Sequence, residues 1–227
     1  MKIKRIIQLV YRSLFPSTVF SKRTYSQCGE DVLIDINLNR SKGYKGFYVD
    51  IGAHHPFALS NTVRFYKRGW RGINVEASSN LLFAFKIFRY RDINLNIAIG
   101  STNQESDFYI FDMQAFNTFD EVLAKERIQS GLKLSKVIKI RQMGLEELLD
   151  MYLPKGQHID FMSVDVEGFD YIALSTNNWN KYKPDVIVVE DYSSGSVKSD
   201  IQNLLEMHGY SLKAMIEGGT CIYKISD

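Results

Sequence analysis

The sequence predicts an α/β protein built on a mostly parallel sheet with helices on both faces. Short and nearly continuous apolar runs recur along the 227 residues, among them FYVDIGA, GINVEA and VIVVE. Strands buried on both faces read this way. Segments with helical apolar spacing lie between them, and regular alternation of the two kinds is the mark of parallel crossovers.

KGFYVDIGA (45–53) is the first strand. Ser60 is placed to cap a helix through NTVRFYKRGW, with Val63, Tyr66 and Trp70 as its inner stripe and Gly69 and Gly72 helping to stop it. GINVEA (72–77) is the second strand, LLFAFKIFRYR a helix, and INLNIAIG (93–100) a third strand. SDFYIF (106–111) and KVIKIRQM (136–143) alternate like antiparallel additions. The polar stretch between them, DMQAFNTFDEVLAKERIQSGLKLS, reads as mobile, although Phe111, Phe116 and Phe119 would suit a lid over a sugar as well as a core contact. LEELLDMYLP is a helix ended by Pro154, after which HIDFMSVDVEG (158–168), a helix through YIALSTNNWNKY, PDVIVVEDY (184–192), a helix through KSDIQNLLEMHG and the strand TCIYKIS resume the alternation. Strand order does not follow from this pattern.

Composition narrows the function. With 45% hydrophobic and 24% charged residues the chain is globular, and residues 24–227 are expected to form one domain. A formal charge of +2 and the lack of an Asn/Asp-Pro-Pro-aromatic motif argue against a nucleic-acid partner. Cys28 and Cys221 have no metal-ligand spacing and read as free thiols in a reducing compartment, so a cytoplasmic location is expected. No run reaches the roughly 18 apolar residues of a membrane span. Residues 1–23 form a basic segment with Ile3, Ile6, Ile7, Val10 and Leu14 at helical spacing. It would pack on its own domain or a second subunit, or touch the inner face of a membrane.

The strand tips carry the chemistry. In an open parallel sheet ligands bind at the carboxyl ends of the strands, and four of the strands end in acids: Asp50, Glu76, Asp165 with Glu167, and Glu190 with Asp191. A single such acid could be a helix cap; several brought together repel unless a ligand or cation compensates. Gly52 after Asp50 permits a tight turn, and Glu76 suits a vicinal ribose diol because a carboxylate only accepts hydrogen bonds. The dinucleotide fingerprint G-x-G-x-x-G is absent, since His54, His55 and Pro56 follow Ala53. The site therefore suits an adenosine ligand without a pyrophosphate, and S-adenosylmethionine fits that description.

YSQCGED (25–31), FYVDIGAHHPFALSNTVRFYKRGWRGINVEA (47–77), DFMSVDVEGFDYIAL (160–174) and PDVIVVE (184–190), in that order, resemble the FkbM family of S-adenosylmethionine-dependent methyltransferases. The resemblance spans roughly residues 24 to 225. It implies a class I methyltransferase (Rossmann-like) fold, with a seven-stranded sheet and one antiparallel strand, which TCIYKIS would supply. It also implies O-methyl transfer, commonly to a hydroxyl of a nucleotide-linked sugar or of a capsule or O-antigen glycan. By position, Asp50, Gly52 and Ala53 would form the first cofactor loop, Glu76 would hold the ribose with Ala77 also at the cofactor, and Asn96 to Ala98 would flank the adenine. Gln27, Ser60 and Asn61 would reach the methionine end. The His54-His55-Pro56 wording departs from the commoner family loop, an Asn-containing and Gly-bearing one.

A sugar hydroxyl needs a base or a Lewis acid to attack a methyl group. Asp165, Glu190 and Asp191 could together hold a divalent cation such as magnesium, manganese or iron. Otherwise Asp165, His54 or His55 would serve as the base, with Glu190 and Asp191 capping a helix or binding substrate. Methylation of a small non-sugar acceptor, or a non-catalytic nucleoside-binding subunit, remain the alternatives.

Overall fold

The computed structural model describes residues 24–101, 104–113, 116–191, 198–216 and 219–226. The basic segment 1–23 lies outside the described residues. The centre is a seven-stranded sheet of β1 (Phe47–Ile51), β2 (Arg71–Val75), β3 (Ile93–Leu95), β7 (Phe161–Val164), β8 (Val186–Glu190), β9 (Tyr210–Met215) and β10 (Thr220–Ile225). In space the order is β3-β2-β1-β7-β8-β10-β9. Every pairing is parallel except those of β10, which runs antiparallel to both β8 and β9. This is the class I methyltransferase arrangement, with TCIYKIS as the antiparallel strand. The winding reverses between β1 and β7, which opens a crevice at their carboxyl ends.

The apolar runs are continuous because both faces of the sheet are buried. Phe47, Val49 and Ile51 enter one core with Met162, Val164, Ile187 and Val189; Tyr48 enters the other with Phe161, Val186 and Val188, beneath Phe65 and Trp70. Each such side chain contributes about 1.5–3 kcal/mol on burial. The helices are α1 (Glu30–Leu38), α2 (Val63–Lys67), α3 (Ser79–Phe88), α4 (Glu121–Gln129), α5 (Leu145–Tyr152), α6 (Asp170–Ser175) and α7 (Asp200–Met207). No helix among the described residues is long and apolar enough to cross a membrane.

Several elements differ from the sequence reading. INLNIAIG is two strands: β3 joins the main sheet, while β4 (Ala98–Ile99) turns away to pair with β6 (Leu134–Met143) in a second, three-stranded sheet. The antiparallel additions are real, since β5 (Glu105–Phe111) pairs antiparallel with β6. The polar stretch that follows β5 contains α4, whose start is fixed by Asp120 accepting from the amides of Val122 and Leu123 at 2.7 and 3.0 Å. Only Ala124 of α4 is buried, so no apolar stripe announced it. Helix α2 begins at Val63, and Ser60 does not cap it. Gly72 stops nothing: it lies inside β2, where a Cβ would sit 2.0 Å from the Tyr48 ring. Helix α1 and strand β9 were not anticipated.

Candidate active site

The cleft at the carboxyl ends of β1, β2, β7 and β8 has about 1090 Å³ of empty space, counted to its open mouth. Its floor is the contact between the loops after β1 and β7. Gly52 (φ 79°) sits so close to the next loop that a Cβ would fall 1.8 Å from the Asp165 carbonyl oxygen. Glycine is required there by the Asp165 backbone, and Gly52 still lines the cleft together with Asp50 and Ala53. Three non-glycine residues lining the cleft hold left-handed backbones, His54 and Glu167 at φ 52° and Leu59 at φ 53°. Such conformations cost about 1 kcal/mol or more each and persist where neighbours fix them. The His54 amide donates to Glu76 Oε2 at 2.9 Å, and the Glu167 carbonyl accepts from Thr118 Oγ1 at 3.2 Å.

The carboxylates at the tips differ in their company. Glu76 is buried, with Oε2 taken by the His54 amide and Oε1 by the Ser78 amide at 2.7 Å. Each oxygen keeps a further lone pair for a hydroxyl. Burial pushes its pKa up to about 7, against the lowering effect of the two amides. Asp50 accepts from Thr62 Oγ1 at 2.8 Å, and burial raises it to about 6. Asp165 touches solvent, yet the concave walls around it exclude enough water to raise its pKa well above the carboxylate range. Repulsion from Glu190, Asp170, Glu167 and Asp50 adds to that rise. Glu167 is also raised by burial, although Arg127 pairs with it at 2.7 Å.

The remaining expected residues divide into those that line the cleft and those that do not. Gln27, Ser60, Asn61, Ala77 and Ala98 line it, with Asn61 Nδ2 donating to Ser163 Oγ at 3.0 Å. Asn96 is not a lining residue: its amide donates to the carbonyls of Glu76 and Ala77 at 2.9 and 2.8 Å and so braces that loop. His54 lines the cleft, and burial followed by the neighbouring His55 lowers its pKa, favouring neutral imidazole. His55 is a correction. Its Nδ1 accepts from the amides of Phe57 and Ala58 at 3.1 and 3.0 Å, which makes it the hub of a turn rather than a base facing the cleft.

Asp191 is a second correction. Glu190 lines the cleft, but Asp191 is buried against Ser199 Oγ and Tyr223 OH, the latter at 3.3 Å. Successive strand-end residues point to opposite sides, so an adjacent pair does not readily chelate. Among the described residues, the acidic and histidine side chains that converge to within 4.8 Å are His158, Asp160 and Asp185, not Asp165, Glu190 and Asp191.

Sequence reasoning missed the supports. Arg89 is fully buried and donates to Tyr48 OH at 2.6 Å, Thr62 Oγ1 at 2.9 Å and the Pro56 carbonyl at 3.2 Å, while pairing with Asp92 at 3.1 Å. It thereby ties the loop after β1 to α3. Asp31 gathers Thr24 Oγ1, the Tyr25 amide, Ser26 Oγ and Arg64 Nε, which carries Gln27 to the cleft. Asp170 accepts from the amides of Val166 and Gly168 and shapes the turn that presents Glu167. The second sheet contributes Phe108, Asn117, Thr118 and Phe119 to the cleft wall, with Phe108 and Phe119 stacked at 4.4 Å. A lone Arg in an aromatic helix gave no signal of its burial; Asp170, next to Gly168 and ahead of an apolar helix, did carry a turn signature.

A family model described as the methyltransferase FkbM domain matches residues 50–212. Among solved structures, the methyltransferase FkbM from Methylobacillus flagellatus KT aligns over 88% of this chain and 48% of its own, at 15% identity and a TM-score of 0.47. A TehB-like SAM-dependent methyltransferase from Corynebacterium glutamicum aligns over 96% and 97% of the two chains, at 11% identity and a TM-score of 0.43. An O-methyltransferase from Bacillus cereus in complex with SAH covers 99% of this chain and 90% of its own, at 10% identity and a TM-score of 0.40. No curated protein matches the chain.

Proposed function

The chain belongs to the FkbM methyltransferase family, and from that premise we propose that it is an S-adenosylmethionine-dependent O-methyltransferase acting on a sugar hydroxyl, carried by a nucleotide sugar or a growing glycan. The observation that carries this reading is Asp165, a cleft-lining acid repelled by four neighbouring carboxylates, whose carboxylate has no hydrogen-bond or ion-pair partner among the described residues. Such a group needs a proton, a hydroxyl donor or a cation from outside the chain.

When bound, S-adenosylmethionine supplies a methyl group already activated on a positively charged sulfur. The residues fit it. Glu76 has a free lone pair on each carboxylate oxygen for the two ribose hydroxyls, and the apolar walls of Leu81, Ile97, Ala98 and Ile99 suit a purine. Gln27, Ser60 and Asn61 offer polar groups for an amino acid end. Asp165 would accept the acceptor hydroxyl's proton, and in its ionised form the raised pKa makes it a stronger base than an ordinary carboxylate. The stacked Phe108 and Phe119, beside Asn117 and Thr118, offer an apolar face with polar edges, which is what a sugar ring presents in complement.

A second reading keeps a divalent cation between Asp165 and Glu190, where the same repulsion would be relieved by metal. The two carboxylates would hold it and leave positions for substrate oxygens. Calorimetric titration of S-adenosylhomocysteine, before and after chelation and with magnesium, manganese or iron(II) restored, separates the readings. Binding without a metal response leaves Asp165 as a simple base; a metal response lost in Asp165→Asn assigns the cation. No binding in any condition overturns the cofactor and the function together.

A further inference from the structure

Helix α3 turns an apolar face away from the protein. Phe83 is 65% exposed and Tyr90 74%, with Ile87 and Phe88 about half exposed. Phe83 and Ile87 lie one turn apart on one side of the helix, and Tyr90 follows in the turn just past its end. The Phe88 ring meets that of Phe57 at 5.2 Å in an edge-on contact, and Phe57 leads to Leu59, itself half exposed and lining the mouth of the cleft. The patch therefore runs without a break in the chain's chemistry from α3 to the entrance of the site. Exposed aromatic and aliphatic groups gathered in this way mark an interaction surface.

Its charge is one-sided. Residues 77–91 contain no Asp or Glu, and their cations are Lys86, Arg89 and Arg91. Arg89 is buried, but Lys86 is exposed, Arg91 is bonded to the Tyr66 carbonyl, and the exposed Lys67 follows Tyr66 in the chain and lies over the Tyr25 ring. Among the described residues none of Lys67, Lys86 and Arg91 is in an ion pair, whereas Arg64 and Arg68 nearby are held by Asp31 and Asp35.

We propose that this face docks on an anionic bilayer surface, with Phe57, Phe83, Ile87, Phe88 and Tyr90 in the headgroup region and the mouth of the cleft at the membrane boundary. Aromatic and aliphatic groups flanked by cations without acidic partners suit such an interface, where apolar burial and attraction to acidic lipids act together. A second copy of the chain suits it less. Two-fold pairing of the patch would bring Lys86 and Arg91 towards their own counterparts with no acid on the patch to neutralise them. The inference concerns the outer surface only and stands apart from the chemistry in the cleft.

The test is co-sedimentation of the full chain with phosphatidylcholine vesicles, with and without phosphatidylglycerol. Binding should require phosphatidylglycerol and weaken with salt. The double variant Phe83→Gln, Ile87→Gln should lower the bound fraction about tenfold, and Lys86→Glu should lower it less. All three positions are exposed, so both variants should melt as the parent does. Failure of the parent to bind acidic vesicles overturns the proposal. So does a double variant that binds like the parent, because the binding would then belong to another part of the chain. Self-association abolished by the double substitution, without vesicle binding, would give the face to a second copy instead.

Discussion

Strands β7 and β8 carry acids at both of their ends, and the two ends are built in opposite ways. At the amino end, Asp160 and Asp185 are bridged by Arg40, which lies 2.8 Å from Asp160 and also pairs with Asp185; His158 adds a contact to Asp185 at 2.9 Å. Asp160 further accepts the Phe47 amide at 2.9 Å and so pins the start of β1. At the carboxyl end, Asp165 faces Glu190 and three other acids, and among the described residues no cation pairs with it. At the amino end the fold supplies its own cation to both acids, while at the carboxyl end the cation it supplies among the described residues, Arg127, goes to Glu167. Convergence of ligand atoms alone points to the amino end, since among the described residues it is His158, Asp160 and Asp185 that gather within 4.8 Å. There, Arg40 already does what a metal would do.

The comparison breaks most sharply at Asp165. Asp165→Asn should lower methyl transfer by about 10²–10⁴-fold, the usual range for losing a positioned acid or base. Affinity for S-adenosylhomocysteine should change little, and the melting temperature should hold or rise, because a repelled carboxyl has been removed. Retained turnover in steady-state assays would remove both the base and the cation-holding roles. At the other end the expected loss is in stability. Arg40→Met leaves the buried Asp160 without its cation and should cost about 2 kcal/mol in urea denaturation, less than for a fully buried pair because Arg40 remains a third exposed. Turnover per folded molecule should be unchanged.

What the sequence made legible follows the same division. Strand cores such as Val49, Ile73 and Val188 announce themselves because burial on both faces leaves an uninterrupted apolar run. The acids at their tips are one residue beyond, so their placement at the cleft follows from the strand ends alone. Side-chain direction does not follow: Glu190 and Asp191 are neighbours in sequence, yet one lines the cleft and the other bonds to Tyr223. The second sheet was visible as two alternating runs, but its role as a wall of the site was not, because the contact between Thr118 and Glu167 joins positions far apart in the chain. Arg89 was invisible for a similar reason. Its partners Tyr48, Pro56, Thr62 and Asp92 come from four separate places.

Glu76 sharpens the comparison through pH. Its pKa is raised from an ordinary 4.5 to about 7, so the unfolded chain ionises first and the folded protein holds the extra proton between those values. Stability of the ligand-free protein should therefore fall as pH rises across that window. If the carboxylate accepts from ribose hydroxyls, affinity for S-adenosylhomocysteine should move the other way and rise about tenfold from one pH unit below 7 to well above it. Glu76→Gln should flatten the affinity profile and make the stability profile shallower, the remaining slope belonging to Asp50 and the other raised acids. An affinity that stays level in the parent would detach Glu76 from the ribose.

The smallest expected effect distinguishes the two histidines. His55→Ala removes the acceptor for the amides of Phe57 and Ala58, but water can reach that turn, so the cost should be about 0.5–1 kcal/mol. Turnover should survive, since the ring bonds to its own loop and is absent from the cleft wall. His54→Ala removes a neutral imidazole from the wall itself while leaving the amide that holds Glu76 in place. Kinetics of the two alanine variants side by side decide the matter. A larger loss of turnover in His55→Ala than in His54→Ala would mean that the turn moves during the reaction and that His55, not its neighbour, is the residue the loop brings to the substrate.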